Sequence, residues 1–133
     1  MGLIMDKDRL ELGKYGEVLA INFLKKNGYK IMGKNYRSPF GEIDIIALDK
    51  DTLAFIEVKT KNSNLFIPPE LSVNKKKQGK IIKGALHYIK GKEEKFDQYR
   101  FDVIAINTSL ENGEKKIKLY KDAFQVPSNT RFV

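Results

Sequence analysis

The chain has 133 residues, 41% of them hydrophobic and 32% charged, which describes one soluble globular domain over residues 1–133. It contains no Cys and a single His, His87. Disulfides, thiolate metal sites, Cys nucleophiles and any centre built on two histidines are therefore excluded. The 25 basic residues against 17 acidic ones leave a net charge of +8, a balance that favours a phosphate-rich partner.

The start, MGLIMDKDR, is too short in apolar residues for a signal peptide, and no apolar run approaches the length of a membrane span. A cytoplasmic protein without membrane contact is expected. A helical pattern then runs from Asp8 to Asn27 and stops at Gly28. "YKIMGKNYR" reads as a first strand, closed by a Ser38-Pro39 turn. Glu42 to Leu48 and Leu53 to Thr60 form a hairpin around "DKDT". Pro68 and Pro69 make "KNSNLFIPPEL" a loop. A second helix is predicted from Val73 to Lys90, ending at Gly91. "RFDVIAIN" is a strong strand, and "KKIKLY" a weaker one after an Asn112-Gly113 turn. The order is αβββαββ. The first three strands are expected to be antiparallel neighbours, and the strand–helix–strand unit to give a parallel crossover. The result is an α/β protein with a mixed sheet flanked by helices.

The hairpin carries Asp44, Glu57 and Lys59 inside apolar strands, where a charge costs free energy without a partner or a task. Side chains alternate between faces, so Asp44, Ile46 and Leu48 share one face, as do Leu53, Phe55, Glu57 and Lys59. A two-residue turn at Lys50-Asp51, or a four-residue turn from Asp49 to Thr52, pairs residues whose numbers sum to 101. Leu48 then faces Leu53, Ile46 faces Phe55, and Asp44 faces Glu57. Like charges placed opposite one another destabilise a sheet, and a divalent cation offsets this. Lys59 follows about 6.6 Å along the same face. Such a group is suited to phosphodiester hydrolysis; the other reading is a structural ion pair of Lys59 with Asp44 or Glu57. In the first helix Leu10, Glu17, Ile21 and Leu24 fall on one stripe, so Glu17 is either a third acid facing the hairpin or a partly exposed residue paired with the flanking Lys14 or Lys25.

Between Lys75 and Lys95 there are eight lysines and two glutamates. On the second helix Lys76, Lys80, Lys83, His87 and Lys90 form one stripe, opposite Ile81, Ile82, Ala85, Tyr88 and Ile89. The stripe is either a solvated face or a rail for nucleic-acid phosphates, extended by Arg37 and Lys61. Phe40 and Phe66 are candidates for stacking on bases.

The blocks "GKYGEVLAINFLKKNGYKI", "NYRSPFGEIDIIA", "FIEVKTK" and "RFDVIAI" resemble the YraN-type family of endonuclease-like proteins. That family belongs to the PD-(D/E)xK nuclease superfamily and is similar to Holliday-junction resolvases. The resemblance implies a restriction-endonuclease-like fold and a Mg²⁺- or Mn²⁺-dependent endonuclease acting on DNA, including branched DNA. It implies Asp44, Glu57 and Lys59 as the catalytic trio, Glu17 as the helix-borne acid, and the Val58 carbonyl as a further metal ligand. It also implies a homodimer. The superfamily's exonuclease branch has Gln and Tyr four residues apart, whereas Gln78 is followed at that spacing by Ile82. RNA remains open as a substrate. So does a different class of function, a nucleic-acid-binding domain whose acidic cluster is vestigial or structural.

Overall fold

The computed structural model describes residues 6–61, 73–108 and 115–127. Helix α1, Asp6–Lys26, begins two residues earlier than expected. It ends where Gly28 takes a left-handed φ of 85°. There Tyr29 N–H donates to Leu24 O at 3.0 Å and Gly28 N–H to Lys25 O at 3.1 Å, the bonding of a glycine-terminated helix. Three strands follow: β1 (Lys30–Ser38), β2 (Gly41–Asp49) and β3 (Thr52–Lys61). Helix α2 (Lys75–Lys90) precedes β4 (Gln98–Asn107) and β5 (Lys116–Phe124).

The strands lie side by side in chain order. All pairs are antiparallel except β3 with β4, which is parallel and has α2 between its strands in the chain, as a parallel pair requires. The hairpin register is the expected one from Ile45↔Ile56 to Asp49↔Thr52. Lys50, at the turn, adopts a φ of 57°.

Alternation along these strands builds two cores. Ile46, Leu53, Phe55, Phe101 and Val103 pack with Ile81, Ile82, Ala85, Tyr88 and Ile89 of α2. Ile45, Ala47, Ala54, Ile56, Ile104 and Ile106 pack with Ala20 and Leu24 of α1 on the other face. Covered on both sides, β3 is buried without a break from Thr52 to Glu57. Leu10 departs from its expected place. It is 67% exposed, because the first buried residue among the described side chains of α1 is Gly16, and the sheet contact begins there.

At the turn end of the hairpin lies an ion network that the sequence reading did not single out. Asp102, fully buried, accepts from Arg100 Nε at 2.8 Å and from the Asp122 backbone N–H at 2.9 Å. Arg100 also donates to Asp49 and to the Tyr29 hydroxyl, both at 3.0 Å. Hydrogen bonding to Asp102 holds the Arg100 guanidinium above its ordinary pKa. Burial would push Asp49 up, but its hydrogen bonds from Arg100 and Lys121 outweigh it and hold the carboxyl below its usual value.

Among the described residues no helix is long and apolar enough to cross a membrane. The Pro68-Pro69 loop with Phe66, and the Asn112-Gly113 turn, lie outside the described residues.

Candidate active site

Away from the hairpin turn, β2 and β3 part. The regular pairs stop at Ile45↔Ile56, one step before Asp44 would face Glu57. The Val58 N–H donates to Asp44 Oδ2 at 2.8 Å. A carboxylate from one strand thus takes up a backbone donor of the other. The Glu57 carboxylate lies near enough to Asp44 that its charge raises the Asp44 pKa. The two acids expected to oppose each other do come together, but across a split rather than as ladder partners.

Helix α1 closes this split from one side. A Cβ built on Gly16 would run into Thr60 Oγ1, so only glycine allows so close an approach of α1 to β3. The next residue is Glu17. Its carboxylate lies near those of Asp44 and Glu42, and one oxygen from each falls within 4.8 Å of the others. This acidic triad has the spacing to hold a metal ion. Glu42 was not a candidate from sequence. The signal was nevertheless present, because Glu42 stands two residues before Asp44 and side chains two apart in a strand share a face. It is exposed and pairs with Arg37 Nε at 3.5 Å.

Helix α2 closes the other side. Glu57 is 5% exposed. Its Oε1 lies 3.7 Å from Lys59 Nζ and 3.4 Å from Lys77 Nζ of α2. Burial, then the charge of Glu57, and more weakly that of Glu17, push the Asp44 carboxyl up to about 7 against the lowering effect of the Val58 N–H. Asp44 is therefore held toward its protonated form by burial and by its acidic neighbours.

The lysine stripe runs over this same end of the molecule. Lys76, Lys80, Lys83, His87 and Lys90 are all exposed, opposite the buried Ile81, Ile82, Ala85, Tyr88 and Ile89. From Lys77 beside Glu57 the helix passes Gly84, where an added Cβ would lie 3.3 Å from Ile43, and reaches the Tyr36–His87 contact. It therefore crosses β3, β2 and β1 in turn. Lys83 Nζ sits 5.8 Å above the Phe40 ring, which is itself exposed in the β1–β2 turn. His87 lies about 15 Å along the helix from Lys77, and its Nδ1 is 2.6 Å from the Tyr36 hydroxyl. That places it on the lysine stripe and away from the acids. Lys61 is half-buried at the end of β3, and Arg37 is spread on the surface beside Glu42.

The model of the uncharacterised protein family UPF0102 matches residues 16–106. The chain belongs to this family. UPF0102 is the YraN family, one of the PD-(D/E)xK-like nuclease families, and the motif blocks therefore point to the family that the comparison shows. The UPF0102 protein of Thermodesulfovibrio yellowstonii is 53% identical over 116 residues, covering 87% of this chain and 97% of the relative. The UPF0102 protein of Syntrophus aciditrophicus is 45% identical over 119 residues, 88% of this chain and 91% of the relative. That of Clostridium perfringens is 43% identical over 122 residues, 92% of this chain and the whole of the relative. The UPF0102 match begins at Gly16, so it takes in the close helix–strand contact, all four acids, Lys59 and α2.

Proposed function

We propose that this UPF0102 member is a Mg²⁺- or Mn²⁺-dependent endonuclease of restriction-endonuclease-like fold, hydrolysing phosphodiester bonds of DNA and acting on branched forms. The observation that carries the reading is the split between β2 and β3. It gathers Glu17, Glu42, Asp44 and Glu57 from three elements, with Lys59 on the same strand as Glu57.

The donors suit a hard divalent cation. They are carboxylate oxygens, as Mg²⁺ and Mn²⁺ prefer, and the charges of Glu57 and Glu17 both act on Asp44. Asp44, Glu17 and Glu57 would hold the ion, with Glu42 as an outer acid and the Val58 carbonyl as the further ligand implied by the family. When bound, such an ion supplies a water of lowered pKa and neutralises charge on the attacked phosphate. The protein's own part is positional. The Val58 N–H fixes the orientation of Asp44. Lys59 brings an ammonium to where negative charge develops on the phosphoryl oxygens. The stripe from Lys76 to Lys90 lays the nucleic-acid backbone over the sheet end, with Arg37 and Lys61 at its margins and Phe40 within reach of a base.

A cleavage panel of single-stranded, duplex, flapped and four-way DNA, with an RNA arm, in Mg²⁺ and Mn²⁺, tests this. Cutting by the wild-type chain and none by Asp44→Asn is the expected result. Binding without cutting in either metal would leave a nucleic-acid-binding domain instead.

A further inference from the structure

Lys77 stands in the most basic stretch of the chain but does not share the stripe that the other lysines form. It is turned inward by about one helical step from Lys76, and its Nζ approaches Glu57 Oε1 more closely than Lys59 does, 3.4 Å against 3.7 Å. Its starting point is fixed. The Asn74 side chain caps α2 by accepting the Lys77 backbone N–H at 2.9 Å. Gln78 Nε2 donates to Val73 O at 2.9 Å, tying the same turn to the chain before it. Glu57 needs this partner, since a carboxylate 5% exposed carries a large desolvation cost. On its other side stands Asp44, a second acid and no help.

We propose that Lys77 is the resident counter-ion of Glu57. It is a positioning residue that holds this carboxylate in the metal-free protein and competes with the divalent cation for it. This rests on the reading of Glu57 as a metal ligand. The ammonium and a divalent cation both require the same oxygen and repel each other, so the site is charge-balanced by one or the other. Lys59 shares the oxygen but belongs to β3, so it stays beside Glu57 whatever α2 does. Lys77 comes from a different element and is 45% exposed, free to swing toward solvent or a phosphate when the cation arrives. The arrangement couples metal uptake to the first turn of the helix that carries the phosphate rail.

The test is calorimetric titration of the full chain with Mn²⁺ alone, without nucleic acid. Lys77→Met keeps the aliphatic stem and removes the charge. It should bind Mn²⁺ about three- to ten-fold more tightly than wild type, the scale of a partly buried ion pair. Lys77→Arg should match wild type. Lys75→Met removes the same charge from an exposed neighbour in the same turn and should change the affinity less than about two-fold. Circular dichroism confirms that each variant is folded. Unchanged or weaker Mn²⁺ binding in Lys77→Met, or equal tightening in Lys75→Met, would overturn the proposal while leaving the nuclease reading intact. A wild-type chain that takes up no Mn²⁺ and cuts nothing would overturn both.

Discussion

Asp44 is the residue on which the site's electrostatics converge. Its folded pKa stands at about 7 against an ordinary value of 3.8. Between those two values the native state binds more protons than the unfolded chain. Stability of the metal-free protein should therefore fall as pH rises from about 4 to about 7, and level off above that. The span corresponds to an upper bound of about 4 kcal/mol. Asp44→Asn keeps an oxygen for the Val58 N–H but cannot ionise. It should flatten the pH profile and raise the melting temperature at pH 8, while abolishing cleavage and weakening Mn²⁺ binding. Thermal melts across pH in EDTA check the first half, and cleavage and calorimetry the second. A residue whose removal stabilises the fold and destroys activity is serving function rather than folding. Glu57→Gln and Lys59→Ala should also remove cleavage, with Mn²⁺ binding weakened in the first and kept in the second.

Among the elements, the hairpin was the most legible in the sequence. A two-residue turn at Lys50-Asp51 fixes every pair from Asp49↔Thr52 to Ile45↔Ile56. The turn says nothing of where the ladder ends, because the split depends on α1 and α2 pressing in from either face. For the same reason nothing in the sequence singled out Lys77: one residue separates it from the exposed Lys76, and only tertiary packing sets it beside Glu57. Arg100 and Asp102, charges two apart in an apolar strand, gave the same kind of signal as Glu57 and Lys59 and form a buried ion pair, with Asp102 opposite Ile56 in the sheet. Arg100→Met should cost about 3–5 kcal/mol by leaving Asp102 buried and unpaired, without changing the Mn²⁺ affinity of a folded sample. Urea denaturation measures the first and calorimetry the second. On α2, changing Lys76, Lys80 and Lys83 together to Ala should flatten the slope of log K against log salt for duplex DNA by about 2–3 units, uniformly across sequences. Binding measured in Ca²⁺ over a salt series would show an unchanged slope if the stripe is only a solvated face.

At the scale of the whole molecule, one sheet carries both a matched ion network and a concentration of acids. The Arg100 network joins β2, β4 and β5 with matched charges, whereas the split between β2 and β3 concentrates four acids from α1, β2 and β3. Mn²⁺ should therefore raise the melting temperature of the wild-type chain, by the mass action of a ligand that binds only the folded state, and should do so little in Asp44→Asn. The contact of Gly16 with Thr60 gives this architecture a mechanical tolerance. The residue works as a zero-thickness washer between helix and strand, and a single methyl inserted there is a shim that lifts Glu17 away from the acids on the sheet. Gly16→Ala, although favourable to a helix in itself, should leave a folded protein whose Mn²⁺ affinity has dropped. Gly13→Ala, one turn earlier with open space around it, should leave the affinity unchanged and stabilise the helix by up to about 1 kcal/mol. The clearance of one atom between two elements thus sets the gap into which an ion must fit.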